Sequence, residues 1–143
     1  MGVTISGMTG AGSIRHNNRS FSAANVDRSR TEQNIVFCSE DLKQVYHMVF
    51  DEALAAYNAK KTKTRDKIPD YYEHIRQSKQ EKLFHEAIFQ IGNMSDCGCG
   101  TPDGERAAAA LKDFAESFAE RNPHLRVFNM VLHMDEATPH LHV

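Results

Sequence analysis

The chain has little of what would tie it to a membrane, an oxidising compartment or a strongly electrostatic partner. Its 143 residues include no tryptophan, four prolines and three cysteines. The cysteine count is odd. With Cys97 and Cys99 one residue apart in "CGCG" and Cys38 far upstream, there is neither a disulfide framework nor the paired spacing of a zinc site, which agrees with a reducing compartment. No stretch approaches the roughly 18 consecutive apolar residues of a membrane span, and the N-terminus lacks the basic-then-apolar pattern of a secretory signal. No transmembrane segment is expected. A net charge of −2 speaks mildly against a nucleic-acid partner. What remains, 41% hydrophobic and 25% charged side chains, suits one domain over residues 1–143 with a single core.

The distribution of charge says more than its sum. Residues 60–67, "KKTKTRDK", hold five basic side chains against one acid, and Arg15, Arg19, Arg28 and Arg30 surround Asp27 in the N-terminal third. Such runs suit phosphates, or else a solvated linker.

Hydrophobic periodicity predicts eight elements. Residues 1–8, "MGVTISGM", read as a first strand, followed by the turn "TGAGS", which lacks the Gly-Lys-Ser/Thr ending of a phosphate loop. "QNIVFCS" reads as a second strand. Ser39 is the expected N-cap of a long helix that places Leu42, Val45, Tyr46, Val49, Phe50, Ala53, Leu54 and Tyr57 at helical spacing. A short helix is expected in "IPDYYEHIRQS". Next comes a strand in "EKLFHEAIFQIG", with Leu83, His85, Ala87, Phe89 and Ile91 on one face. His85-Glu86 opens like a zincin helix, but position 89 is Phe, so that reading fails. "DGERAAAALKDFAESFAERNP" is a helix burying Leu111, Phe114, Ala115 and Phe118. "HLRVFNMVLHM" then alternates as a strand with Leu125, Val127, Asn129, Val131 and His133 on one face, and the terminal "HLHV" is its partner. The order predicts an α+β fold, an antiparallel β-sheet backed by helices.

Two clusters carry chemistry. In "HMDEATPHLHV", residues 133–143, His140 and His142 lie two apart on a strand and point to the same face. His133 joins them if the two strands are antiparallel neighbours, and three imidazoles then converge as a facial set for a divalent ion with positions left open. Glu136 is a fourth ligand or a base, and Asp135 orients an imidazole or the turn. A strand of four residues is short, so its last histidine is expected to fray. The second cluster, "RHNNRS" at residues 15–20, offers a histidine as base or nucleophile, amides that donate to oxyanions, and guanidiniums that fork phosphate oxygens.

These two clusters carry a resemblance to the MobV (Mob/Pre, plasmid recombination enzyme) relaxases. His16-Asn17-Asn18-Arg19 resembles the family's H-N-x-R motif. Residues 133–142 match H-x-D-E-x-x-P-H-x-H at every fixed position, and residues 25–34, "NVDRSRTEQN", resemble its N-x-D-x-S-R-T-x-x-N block. The likeness runs from about residue 11 to the end, and the His-hydrophobic-His triplet is that of the wider HUH endonucleases.

The resemblance implies a relaxase that nicks and rejoins single-stranded or hairpin DNA at a plasmid transfer origin, through a covalent 5′-phosphoryl intermediate, in the bacterial cytoplasm. It implies Mn²⁺ or Mg²⁺ held by His133, His140 and His142. It further implies His16 as nucleophile, Arg19 steadying His16 or the phosphate, and Glu136 assisting by metal contact or proton abstraction. DNA contacts are expected from Arg15, Asn17, Arg28, Arg30 and Asn34. Tyr71-Tyr72 keeps a tyrosine nucleophile open, since adjacent tyrosines occur in other HUH enzymes; on a helix the two point about 100° apart, one to the core and one outward. Family members carry further strands and a C-terminal region implicated in dimerisation. A homodimer is therefore expected through a region outside these residues, with the sheet here incomplete at its C-terminal end. Two other readings stand beside this one: a non-catalytic DNA-binding fragment, and a metal-dependent hydrolase of small phosphoesters.

Overall fold

Alternating apolar residues build five strands, and two amphipathic segments build the long helices. The computed structural model describes residues 3–21 and 23–143; Met1 and Gly2, at the head of the predicted first strand, lie outside them. The chain divides into two units, one holding residues up to Ser39 together with Glu86–Val143, the other Glu40–His85. The first unit opens with β1 (Ile5–Thr9), α1 (Ile14–Asn17), a 3-10 segment (Arg28–Gln33) and β2 (Ile35–Ser39). The second unit contributes α2 (Leu42–Ala59) and α3 (Tyr71–Arg76). The chain returns to the first unit with β3 (Ala87–Ile91), α4 (Met94–Cys97), α5 (Pro102–Glu116), α6 (Phe118–Arg121), β4 (Asn129–His133) and β5 (His140–His142).

All strand pairings are antiparallel, in the order β1-β3-β5-β4-β2. The α+β architecture is as the periodicity predicted. One sheet face packs on α5 and α6: Leu111, Leu132 and Leu141 are fully buried there, beside Phe118, Met130 and Met134. Each such side chain contributes about 1.5–3 kcal/mol. The other face of β4 carries Asn129, Val131 and His133 and is buried too, so this strand is covered on both sides.

Several boundaries differ from the sequence reading. β4 begins at Asn129, because its last ladder partner is Ser39, and Leu125 is 58% exposed. β3 begins at Ala87, where the pairing to Thr9 starts, so Leu83 and His85 precede the strand. The long helix is capped by Asp41, whose side chain accepts from Gln44 N at 2.9 Å; Ser39 is already committed to β2. The predicted helix over residues 103–123 breaks at Ser117, whose hydroxyl donates back to the carbonyls of Asp113 and Phe114. The expected fraying of the last strand is not seen. β5 lies in the middle of the sheet, with His142 paired to Ile88 on one side and Val131 on the other, and Val143 exchanges two backbone hydrogen bonds of 2.9 Å with Ala87.

Within the second unit, Tyr46, Phe50, Tyr71 and Tyr72 form an aromatic cluster with ring centroids 4.8–6.0 Å apart. Tyr71 and Tyr72 are both half-buried rather than one inside and one out. The Asn58 amide closes the basic segment by a pair of hydrogen bonds to the backbone of Ile68. No helix among the described residues is long and apolar enough to cross a membrane.

Candidate metal centre

The register of β4 and β5 sets His133 opposite His140, and the two-residue repeat of a strand puts His142 on the same face. The three ring centroids lie 4.6–5.2 Å apart. One ligand atom from each falls within 4.8 Å of the others.

Each ring has one nitrogen engaged behind it. His133 Nε2 donates to the Asn17 carbonyl at 2.7 Å, and His140 Nδ1 to the Thr138 carbonyl at 2.8 Å. A carbonyl has no hydrogen to give, so both contacts fix the tautomer. His142 Nδ1 meets the Glu86 carboxylate. The nitrogens left over are His133 Nδ1, His140 Nε2 and His142 Nε2. The first and third are buried without any hydrogen-bond partner. Orphaned buried acceptors are costly unless something fills the space between them. A divalent cation fits both the vacant lone pairs and the imidazole donor set. Burial favours the neutral form of two of these rings: it pushes His133 down to about 3 and lowers His142, and the neutral form is the one that binds metal.

His16 stands beside this set, its ring 5.9 Å from His133 and 6.2 Å from His142. It is carried by α1, a single turn capped by Ser13. At the end of that turn Arg19 adopts a left-handed backbone, φ 57°, which folds its side chain back under the histidine. Arg19 Nη1 lies 2.8 Å from the His16 carbonyl and 3.2 Å from His16 Nε2. Its Nε and Nη2 fork Asp135 at 2.9 and 2.6 Å, and Nη2 also reaches Glu136 at 2.8 Å. Glu136 Oε1 is 3.3 Å from His16 Nε2 and 3.9 Å from His133 Nδ1, while Oε2 is 3.7 Å from His140 Nε2. Burial would raise the Glu136 carboxyl, but the charges of His140 and Arg19 and the Arg19 hydrogen bond outweigh it and hold it below its ordinary value. His16, Ser13, Glu136, His140 and His142 line an open cavity of about 280 Å³.

The middle motif, residues 25–34, clamps the Asp135-Glu136 turn. Asn25 donates to Glu136 at 3.0 Å, Thr31 and Asn34 to Asp135 at 2.8 and 2.9 Å, and Arg30 to the Glu136 carbonyl at 3.2 Å. Asp135 is fully buried; burial would raise it, and these donors together with Arg19 lower it far more.

Three of the residues expected at DNA have partners within the protein. The Asn34 oxygen accepts from Met134 N at 2.7 Å and its nitrogen serves Asp135. Asn17, 5% exposed, serves His133 and Glu86. Arg30 is occupied by Asp27 and the turn backbone. Short polar side chains inside a buried turn are drawn to its unpaired backbone and carboxylate groups. Arg15 and Arg28 are exposed. Sequence reasoning missed Glu86 as a member of the site. In the sequence "HE" reads only as the start of a helical zinc motif, and nothing local ties residue 86 to residue 142.

A family model described as plasmid recombination enzyme matches residues 13–143. No curated protein matches the chain. Among solved structures, it is similar to Mn-bound crystal structures of the MobM relaxase domain bound to plasmid pMV158 oriT DNA, at 20–22% identity and TM-scores of 0.45–0.47. Those alignments cover 98% of this chain and 67% of the other.

Proposed function

The chain belongs to the plasmid recombination enzyme family, and from that membership we propose that it is a relaxase domain that nicks and rejoins single-stranded or hairpin DNA at a plasmid transfer origin. The observation that carries this reading is the pair of buried, unpartnered nitrogens of His133 and His142 beside a fourth histidine, His16, held by an arginine and a glutamate at the same cavity.

In this reading His133, His140 and His142 hold a divalent ion, and an all-imidazole set favours Mn²⁺ over Mg²⁺. When bound, the ion supplies Lewis-acid polarisation of a nonbridging phosphate oxygen. His16 Nε2 attacks the phosphorus; the N–P bond forms, the P–O3′ bond breaks, and the departing 3′ oxygen takes a proton from water. Arg19 Nη1, a donor only, faces Nε2 at 3.2 Å, so this nitrogen presents its lone pair and the ring proton sits on Nδ1. That proton passes to water as the N–P bond forms. Ionised Glu136, 3.3 Å from Nε2, holds the ring and Arg19 in place. Arg19 fixes the rotamer of His16 and the carboxylates around it rather than reaching out to phosphate, since each of its nitrogens already has a partner. The phosphoramidate keeps enough free energy for the 3′ hydroxyl to reverse the step and reseal the strand. Exposed Arg15 and Arg28 serve the DNA backbone. Residues 1–143 act as one catalytic domain of a homodimeric protein in the bacterial cytoplasm.

The test is an adduct assay with a single-stranded origin oligonucleotide and Mn²⁺. The wild type is expected to form a covalent adduct stable to denaturation, His16→Ala none, and Tyr71→Phe and Tyr72→Phe the full amount. An adduct on His16→Ala removes the nucleophile assignment. Turnover of small phosphoesters without affinity for origin DNA removes the relaxase reading.

A further inference from the structure

Glu86 is 7% exposed and sits at the entrance to β3, outside all three sequence motifs. Three donors face its two oxygens: His142 Nδ1, Asn17 Nδ2 at 2.8 Å, and Gly12 N at 2.5 Å. The glycine turn "TGAGS" closes around it. Gly12 reaches the carboxylate with φ 76°, and a Cβ at Gly10 would stand 2.5 Å from Glu86 Oε2. A loop that resembles a phosphate cradle therefore encloses an anion of the protein's own. Among the three clustered rings, His133 and His140 are backed by carbonyls and His142 by a carboxylate. A carboxylate is the stronger acceptor and raises the basicity of the far nitrogen. Asn17 extends the connection, since its side chain binds Glu86 while its carbonyl takes the His133 ring proton, one residue from His16.

We propose that Glu86 is a positioning residue of the metal centre: its carboxylate holds His142 with Nε2 turned to the ion and, through Asn17, anchors His133 and the His16 turn to the same point. The proposal rests on the reading of His133, His140 and His142 as ligands. Gln at position 86 keeps the shape but offers an NH₂ group where only acceptors are wanted, so at least one of the three donors loses its partner.

Mn²⁺ titration by calorimetry, with the wild-type chain and Glu86→Gln, reads the effect directly. The expected result is a roughly 10–100-fold weaker dissociation constant for Glu86→Gln. Long-range ¹H–¹⁵N spectra of the metal-free chains read the ring itself: His142 is expected to carry its proton on Nδ1 in the wild type and to show a mixture of tautomers in the variant, a change that a merely structural role would not produce. If the wild type takes up no Mn²⁺, the metal reading fails. If both chains bind equally, the metal reading stands and the role of Glu86 is overturned. Should Glu86→Gln not fold, the wild-type spectrum decides: a proton on Nε2 of His142 overturns the proposal, and one on Nδ1 supports it.

Discussion

Arg19 shows how much one side chain can hold. A non-glycine residue with φ 57° carries a backbone penalty of about 1–2 kcal/mol, and in that turn the guanidinium meets Asp135, Glu136 and His16 at once. Arg19→Met would leave a fully buried Asp135 without its counter-charge, the situation that destabilises most when a buried pair is broken. A loss of about 3–5 kcal/mol in urea unfolding is expected. Arg19→Lys should recover little of it, because an ammonium cannot fork the carboxylate. Residue types at this scale were legible in the sequence: histidines two apart, and an arginine three after a histidine. Their directions were not. The amides of Asn17 and Asn34 suit DNA as well as they suit a buried carboxylate, and only the fold shows which group they meet.

Elements are where local pattern and ladder geometry part. Both long strand predictions ran several residues beyond the ladder, because alternation continues in sequence where no partner strand continues in space. The glycine turn between β1 and α1 is the opposite case, a featureless stretch with a demanding environment. Gly10→Ala puts a methyl into the Glu86 carboxylate, and either the carboxylate or the loop must move. Overpacking of this kind is expected to lower stability by about 1–3 kcal/mol and to weaken Mn²⁺ binding along with it. Thermal melts and metal titration of the same preparation measure both; an unchanged metal affinity would show that the loop does not restrain Glu86.

For the whole molecule, pH and metal act on one balance. His133 is buried neutral, its folded value pushed down to about 3 from 6.5. A depressed histidine binds its proton in the unfolded chain first, so metal-free stability is full above about pH 6.5 and falls as pH drops toward 3, by about 1.4 kcal/mol per pH unit for that one proton. Asp135, also depressed, adds loss in the same direction at the acid end. Mn²⁺ should raise the melting temperature across the range from neutral pH down toward the folded value of about 3, because until then His133 stays unprotonated in the folded chain and its nitrogen is available to the ion. Melts with and without Mn²⁺ between about pH 7.5 and 4.5 test this. A pH-independent metal-free melting temperature would contradict it.

The sequence by itself determined the fold class, the three motifs and the facing of His140 and His142, because strand alternation and residue chemistry are local properties. It also determined that His133 joins them once β4 and β5 pair. Tertiary structure decided what stands behind those rings. Residues 12, 17 and 86 have no sequence relation to residue 142, and the block at 25–34 none to the turn at 135–136, until the central position of β5 and the folding of the glycine turn bring them within hydrogen-bond reach. The same central position settled the terminal strand: a short strand at the end of a chain frays when one edge is open, and this one is hydrogen-bonded along both.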